Sequence, residues 1–189
     1  MANDNLPLGL IPLNFHLQQV HSYRVSTAGD IYLGMPVAIG AGSYVVRAEI
    51  TTQNTVILGV AVGFGGTLNR GLATNDPYLD VSDLTPPSPS SDTGDRWILV
   101  ADDPNQEFLI QEDTGGTALA LADVGASADL LYRGAAGADT TGNTDTGRAT
   151  IELDASTIAA TTGGAVTVLR LHDHINTDGT ENSVGDYAK

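Results

Sequence analysis

The sequence predicts an all-β domain, a barrel or sandwich of short antiparallel strands led by an extended N-terminal arm, on three observations. From residue 22 onward, apolar runs of strand length recur about every 8 to 12 residues between Gly and Asp, the spacing of a sandwich or barrel. Asp outnumbers Glu 18 to 5, and Asp favours turns and caps where Glu favours helix interiors. The chain also has 22 Gly and a single lysine, Lys189, a composition suited to strands and turns.

Residues 1–21 form the expected arm. Leu6, Leu8, Leu10, Ile11, Leu13, Phe15 and Leu17 are interrupted by Pro7, Gly9 and Pro12, and prolines so placed exclude a continuous helix. That many leucines left in water would be unfavourable, so these seven residues are expected to dock on a partner chain. The alternative is an extended strand packed on the arm's own domain. The opening stretch "MANDNLPLGLIPLNF" lacks a basic segment and has proline where a signal sequence would be helical, so it is not expected to be one.

The domain is expected to span residues 22–189. Its first strands are read from "SYRV", "IYLGMPVAI", "SYVVRA" and "TVILGVAVGF". Glycines in "GVAVGFGG" are expected to let the last of these bend, since the stretch has no phosphate-loop lysine and continues a strand. "LTPPSPSSDTGD", residues 84–95, reads as an exposed Pro/Ser-rich loop. A second set follows: "RWILVA", "EFLIQE", "DLLYRG", "ATIELD" and "AVTVLRLHDHI". Asp102-Asp103-Pro104-Asn105 is rich in turn formers, so the two runs around it are expected to make a hairpin. Trp97 and Leu99 fall on one face of its first strand, and Ile98 and Val100 on the other. That strand should therefore lie centrally, covered on both faces. Only "TALALADVG" has helical character, and its Thr, Val and terminal Gly allow a short helix at most.

Length and charge narrow the function. A chain of 189 residues can bury a proper core. It contains no cysteine, which removes disulfides and Cys-ligated zinc. The formal net charge is −15, so phosphate backbones are repelled and nucleic acid is not an expected partner. No apolar run approaches a helical membrane span.

Asp-Thr-Gly, the tripeptide of pepsin-like and retroviral aspartic proteases, occurs at Asp92, Asp113 and Asp145. Protease aspartates must share a proton in a dry cleft, which requires apolar flanks. All three copies have polar or glycine flanks, so they are expected to be exposed turns without a common pocket. His172 and His174 share a strand face with Arg170, but a zinc site needs further ligands, and the other histidines, His16 and His21, lie far off in sequence. The oxygen-rich loops from Asp139 and Asn176 do not match an EF-hand and are read as solvated turns. No metal, cofactor or catalytic residue is expected, and the chain is not expected to be an enzyme.

One resemblance adds to this reading. Gly29-Asp30, Gly34-Met35-Pro36-Val37 and Leu58-Gly59-Val60-Ala61, with the later "ADVGASADLL", "TGRATIELDASTIAATT" and "NSVGDYAK", resemble head decoration, or cement, proteins of tailed bacteriophages. The likeness runs loosely over residues 22–189. It implies a non-catalytic virion protein on the outer surface of the capsid, bracing neighbouring major capsid subunits, as a homo-oligomer there. The runner-up is a carbohydrate-binding or adhesin-like module, for which one Trp, three Phe and six Tyr offer few stacking platforms.

Overall fold

The structure is a computed structural model that describes residues 8–14, 19–25, 29–50, 56–64, 78–79, 97–113, 119–132, 142–159 and 164–171. It is all-β. Among the described residues twelve short strands run in chain order: β1 Ile11–Pro12, β2 Val20–Arg24, β3 Pro36–Ile39, β4 Val45–Arg47, β5 Gly59–Phe64, β6 Trp97–Ala101, β7 Phe108–Leu109, β8 Ser127–Tyr132, β9 Gly142–Asn143, β10 Arg148–Ala149, β11 Ile151–Ala159 and β12 Val166–Thr167. Residues 84–95, His172 and His174 lie outside the described residues. Among the described residues of "TALALADVG", from Leu119 on, the helical character amounts to one 3-10 turn at Leu121–Asp123. There the Asp123 carboxylate accepts the Ala120 N–H at 2.7 Å.

Two antiparallel sheets carry the domain. The larger has the order β2-β6-β5-β3-β4 and the smaller β11-β8-β12, while β1-β7 and β9-β10 are two-stranded ladders. One hydrophobic cluster joins them, with Val37, Val45, Ile98 and Val100 from the first sheet and Ala128, Leu130, Leu153 and Val168 from the second side. Tyr132 of β8 ties the layers further, its hydroxyl donating to the Ala48 carbonyl at 3.0 Å and its ring lying under the Arg47 guanidinium at 5.7 Å.

The central strand is where the sequence placed it, but its surroundings differ in two ways. β6 pairs with β2 on one side and β5 on the other. With both edges taken it has no edge left for β7, so the expected hairpin does not form, and β7 pairs with β1 instead. The turn itself exists: Asp103 Oδ1 accepts the Asn105 N–H at 2.8 Å and the Asp103 carbonyl accepts the Gln106 N–H at 3.0 Å. Nor are both faces of β6 sealed. Ile98 and Val100 are fully buried, whereas Leu99 is 38% exposed and Trp97 is half-buried beneath the Arg24 guanidinium at 5.2 Å. Strand β5 does bend, at a register shift between Ala61 and Gly63 that leaves Val62 without a β6 partner.

The described part of the arm belongs to its own domain. Leu10 is 4% exposed and sits in the core cluster. Its N–H donates to the Gly34 carbonyl at 3.0 Å, and the Leu13 N–H donates to the Glu107 carbonyl at 2.8 Å. Two glycines allow the approach: Gly9 at φ +71° and Gly34 at φ +81° face each other so closely that a Cβ on Gly9 would lie 2.9 Å from the Gly34 carbonyl oxygen.

Candidate functional site

The residues expected to bind a partner are divided by this arrangement. Leu10 is in the intrachain core, which corrects the expectation that it faces another chain, while Ile11 and Leu13 are half-buried alongside β7. The reason is physical: the domain itself supplies an apolar pocket and backbone partners for the arm. Leu8 remains 45% exposed. Leu6, Phe15 and Leu17 lie outside the described residues.

The Asp-Thr-Gly copies part company as well. Asp145 is exposed in the turn joining β9 to β10, where Asn143 Oδ1 accepts the N–H groups of Asp145 at 2.9 Å and Thr146 at 3.1 Å, and Gly147 closes the turn at φ +67°. Asp92 lies outside the described residues. Asp113 is not an exposed turn residue: it is 8% exposed, and its Oδ1 accepts the Ala155 N–H at 3.0 Å. Ala155 follows the point where β11 loses register with β8, between Asp154 and Ala159. A buried backbone N–H outside the ladder needs another acceptor, and Asp113 supplies it. Thr157 acts comparably from the other side of the irregularity, its Oγ1 accepting the Asp129 N–H at 2.9 Å.

Next to Asp113, Glu112 is 6% exposed and its Oε2 accepts the Leu119 N–H at 3.0 Å. Burial pushes its carboxyl above the ordinary value; the Leu119 bond opposes this and the charges of Asp113 and Asp123 add to it.

A polar cluster that sequence reasoning missed sits at the end of β6. Asp102 Oδ1 lies 2.7 Å from His21 Nδ1, and the Tyr23 hydroxyl donates to Asp102 Oδ2. Both partners come from β2, which is paired with β6. The Tyr23 phenol is pushed up to about 12, first by this hydrogen bond to Asp102, then by burial and the carboxylate charge. Burial alone would raise Asp102, but the bonds from Tyr23 and His21, with the charge of His21, outweigh it and hold the carboxyl below its usual value. The signal that could have found the cluster is the period of two that places His21 and Tyr23 on one face of their strand. The His21 side chain is 64% exposed and that of Asp102 14%, so the imidazole is oriented by a largely covered carboxylate.

Beside this cluster a cleft of about 660 Å³ opens between the sheets. Val60, Leu119, Leu130 and Leu153 form apolar walls, and Asp102, Asp103, Gln106, Glu107 and Arg170 bring polar groups to it. Glu107 is paired with Arg170 at 3.3 Å. Asp103 receives neutral donors, Gln19 Nε2 at 2.7 Å and the Asn105 N–H at 2.8 Å. Among the described residues, no group of three or more His, Asp or Glu is placed to hold a metal ion, and no helix is long and apolar enough to cross a membrane. Comparisons of the chain with protein-family models, with curated proteins and with solved structures find no match.

Proposed function

We propose that this protein decorates the outer surface of an assembled tailed-phage capsid, as a homo-oligomer bracing neighbouring major capsid subunits without catalysis. The reading rests on the resemblance of residues 22–189 to cement proteins, and one structural observation carries it. The arm is rooted in the domain by Leu10, 4% exposed, while Leu8, two residues nearer the N-terminus, stays 45% exposed. A rigid root that presents an apolar residue to solvent suits a segment laid along a neighbour, for example by adding a strand to an exposed sheet edge. In this form the partner contact is assigned to Leu8 and Leu6, and Leu10, Ile11 and Leu13 serve as the root.

The aromatic residues favour the carbohydrate-binding alternative less. Trp97 is capped by Arg24 at 5.2 Å, Tyr132 by Arg47 at 5.7 Å, and Tyr32 stacks on Tyr78 at 4.6 Å between centroids. These faces are engaged within the chain.

The test is fractionation of heads of the phage that encodes the chain on a density gradient, with the protein followed by mass spectrometry. The full chain is expected to sediment with the heads in many copies per particle, and a chain lacking residues 1–8 to fold but remain at the top. A full chain that stays in the soluble fraction while heads sediment would overturn the reading.

A further inference from the structure

Strand β12 ends the three-stranded sheet and, among the described residues, pairs only with β8. Val168, which follows it, shows which way the backbone groups point. Its N–H donates to the Ala126 carbonyl at 2.9 Å, and its carbonyl accepts the Gly125 N–H at 2.8 Å. Backbone groups alternate between the two edges of a strand, so Thr167 and Leu169 turn their N–H and C=O groups away from β8. Residues 164–170 border the cleft between the sheets in unbroken succession, so the segment presents its edge there, not one face. That edge meets solvent: Thr167 is exposed and Leu169 is 58% exposed.

Proteins usually protect a free edge with charge or proline, because an unprotected one pairs with another strand. From Ala155 to Leu169 there is no Asp, Glu, Lys, Arg or Pro. Arg170, just beyond, is paired with Glu107 at 3.3 Å. The arm matches this edge in charge: between Asp4 and Arg24 the sequence has no Asp, Glu, Lys or Arg. Two chains of net charge −15 repel each other over most of their surfaces, and these two stretches can meet without bringing carboxylates together. Leu10 roots the arm at 4% exposure while Leu8 is 45% exposed, so at Leu8 the chain is already turned to solvent. Residues 1–7 reach up to about 25 Å when extended, against about 10 Å for residues 167–169.

We propose that residues 1–8 of one chain add as a strand to the β12 edge of a second copy. The backbone groups of Leu6 and Leu8 then point toward Thr167 and Leu169. Pro7 falls between them on the outer side, where no N–H is needed, and closes the new edge to a further strand. The assembly rests on the proposed partner role of Leu6 and Leu8 and names the edge that receives them.

Sedimentation equilibrium of the isolated full-length protein, without phage heads, tests this. Assemblies larger than one chain are expected. Leu169→Lys, at an exposed position, should raise their dissociation constant at least about tenfold, as should Thr167→Pro, which removes one ladder donor. Should Thr167→Pro fail to fold by circular dichroism, Leu169→Lys decides. The chain contains no cysteine, so introduced thiols report the pairing. Leu6→Cys protein labelled with heavy nitrogen, mixed with unlabelled Thr167→Cys protein and oxidised, should give the mixed dimer in excess of either homodimer by mass spectrometry. The proposal is overturned if the isolated chain is monomeric throughout, if Leu169→Lys leaves the assembly unchanged, or if the mixed dimer is no more abundant than the homodimers. It is overturned equally if a chain carrying both cysteines closes on itself while the mixture stays uncrosslinked, which would seat the arm on its own β12. A monomer that still sediments with heads overturns this pairing alone; an assembly that never sediments with heads overturns the capsid reading alone.

Discussion

Replacing Leu10 by alanine tests whether the arm is part of the domain. Leu10 is 4% exposed and lies among the core residues, and a buried Leu→Ala change costs about 2 to 5 kcal/mol through lost transfer energy and the cavity left behind. The site can collapse in part, because an arm held at its ends by the bonds Leu10 N–H to Gly34 and Leu13 N–H to Glu107 can shift inward. The lower half of that range, about 2 to 3.5 kcal/mol, is therefore expected. Substitution is a cleaner perturbation than truncation, since deleting the arm also removes its ordering cost of about 1 to 2 kcal/mol per residue. The assay is urea unfolding followed by Trp97 fluorescence, read as a midpoint shift at unchanged slope. Leu8→Ala is the control: at 45% exposure it should fall within about 0.5 kcal/mol of the parent. A Leu10→Ala protein within that same margin would refute the intrachain root and return Leu10 to the surface available to a partner.

Asp113→Ala should destabilise the fold by about 1 to 3 kcal/mol, because the buried Ala155 N–H loses its acceptor; Asp113→Asn, which keeps an oxygen there, should cost less in the same urea assay. Asp102→Asn should bring the Tyr23 phenol down from about 12 toward its ordinary 10, read by ultraviolet titration of tyrosinate. Since the folded value lies above the unfolded one, the Tyr23 contribution is fully present below pH 10 and lost as pH rises through about 12. Asp102 runs the other way: its lowered carboxyl contributes above the ordinary value of 3.8 and loses that contribution as pH falls through the folded value. For Glu112, raised by burial above 4.5, the fold is favoured at low pH and loses that advantage as pH climbs through the folded value. Glu112→Gln, which retains an acceptor for the Leu119 N–H, should flatten the dependence of the urea midpoint on pH in that window.

The fold class was legible because its signals are local. Strand-length runs, the turn chemistry of Asp103 and Asn105, and the Asn143 to Gly147 turn each depend on a few neighbouring residues, whose φ/ψ preferences act whatever the rest of the chain does. Proline in the arm excluded a helix for the same reason.

Tertiary structure decided what lies between those segments. The arm's apolar residues required burial, but only the meeting of Gly9 with Gly34 placed Leu10 in its own core. Strand β6 read as central, and having both edges occupied sent β7 to β1. "IELD" alternates as a half-solvated strand would, yet Ile151, Glu152 and Leu153 are all buried, since both faces of β11 are covered over those first residues. Asp113 looks like its namesakes in sequence, and a lapse of register 42 residues away claimed its carboxylate. His21 and Asp102 stand 81 residues apart and meet only through the β2–β6 ladder. A single chain sequence states which groups need burial or a hydrogen-bond partner; the partner is set by long-range register, where every choice of neighbour depends on all the others.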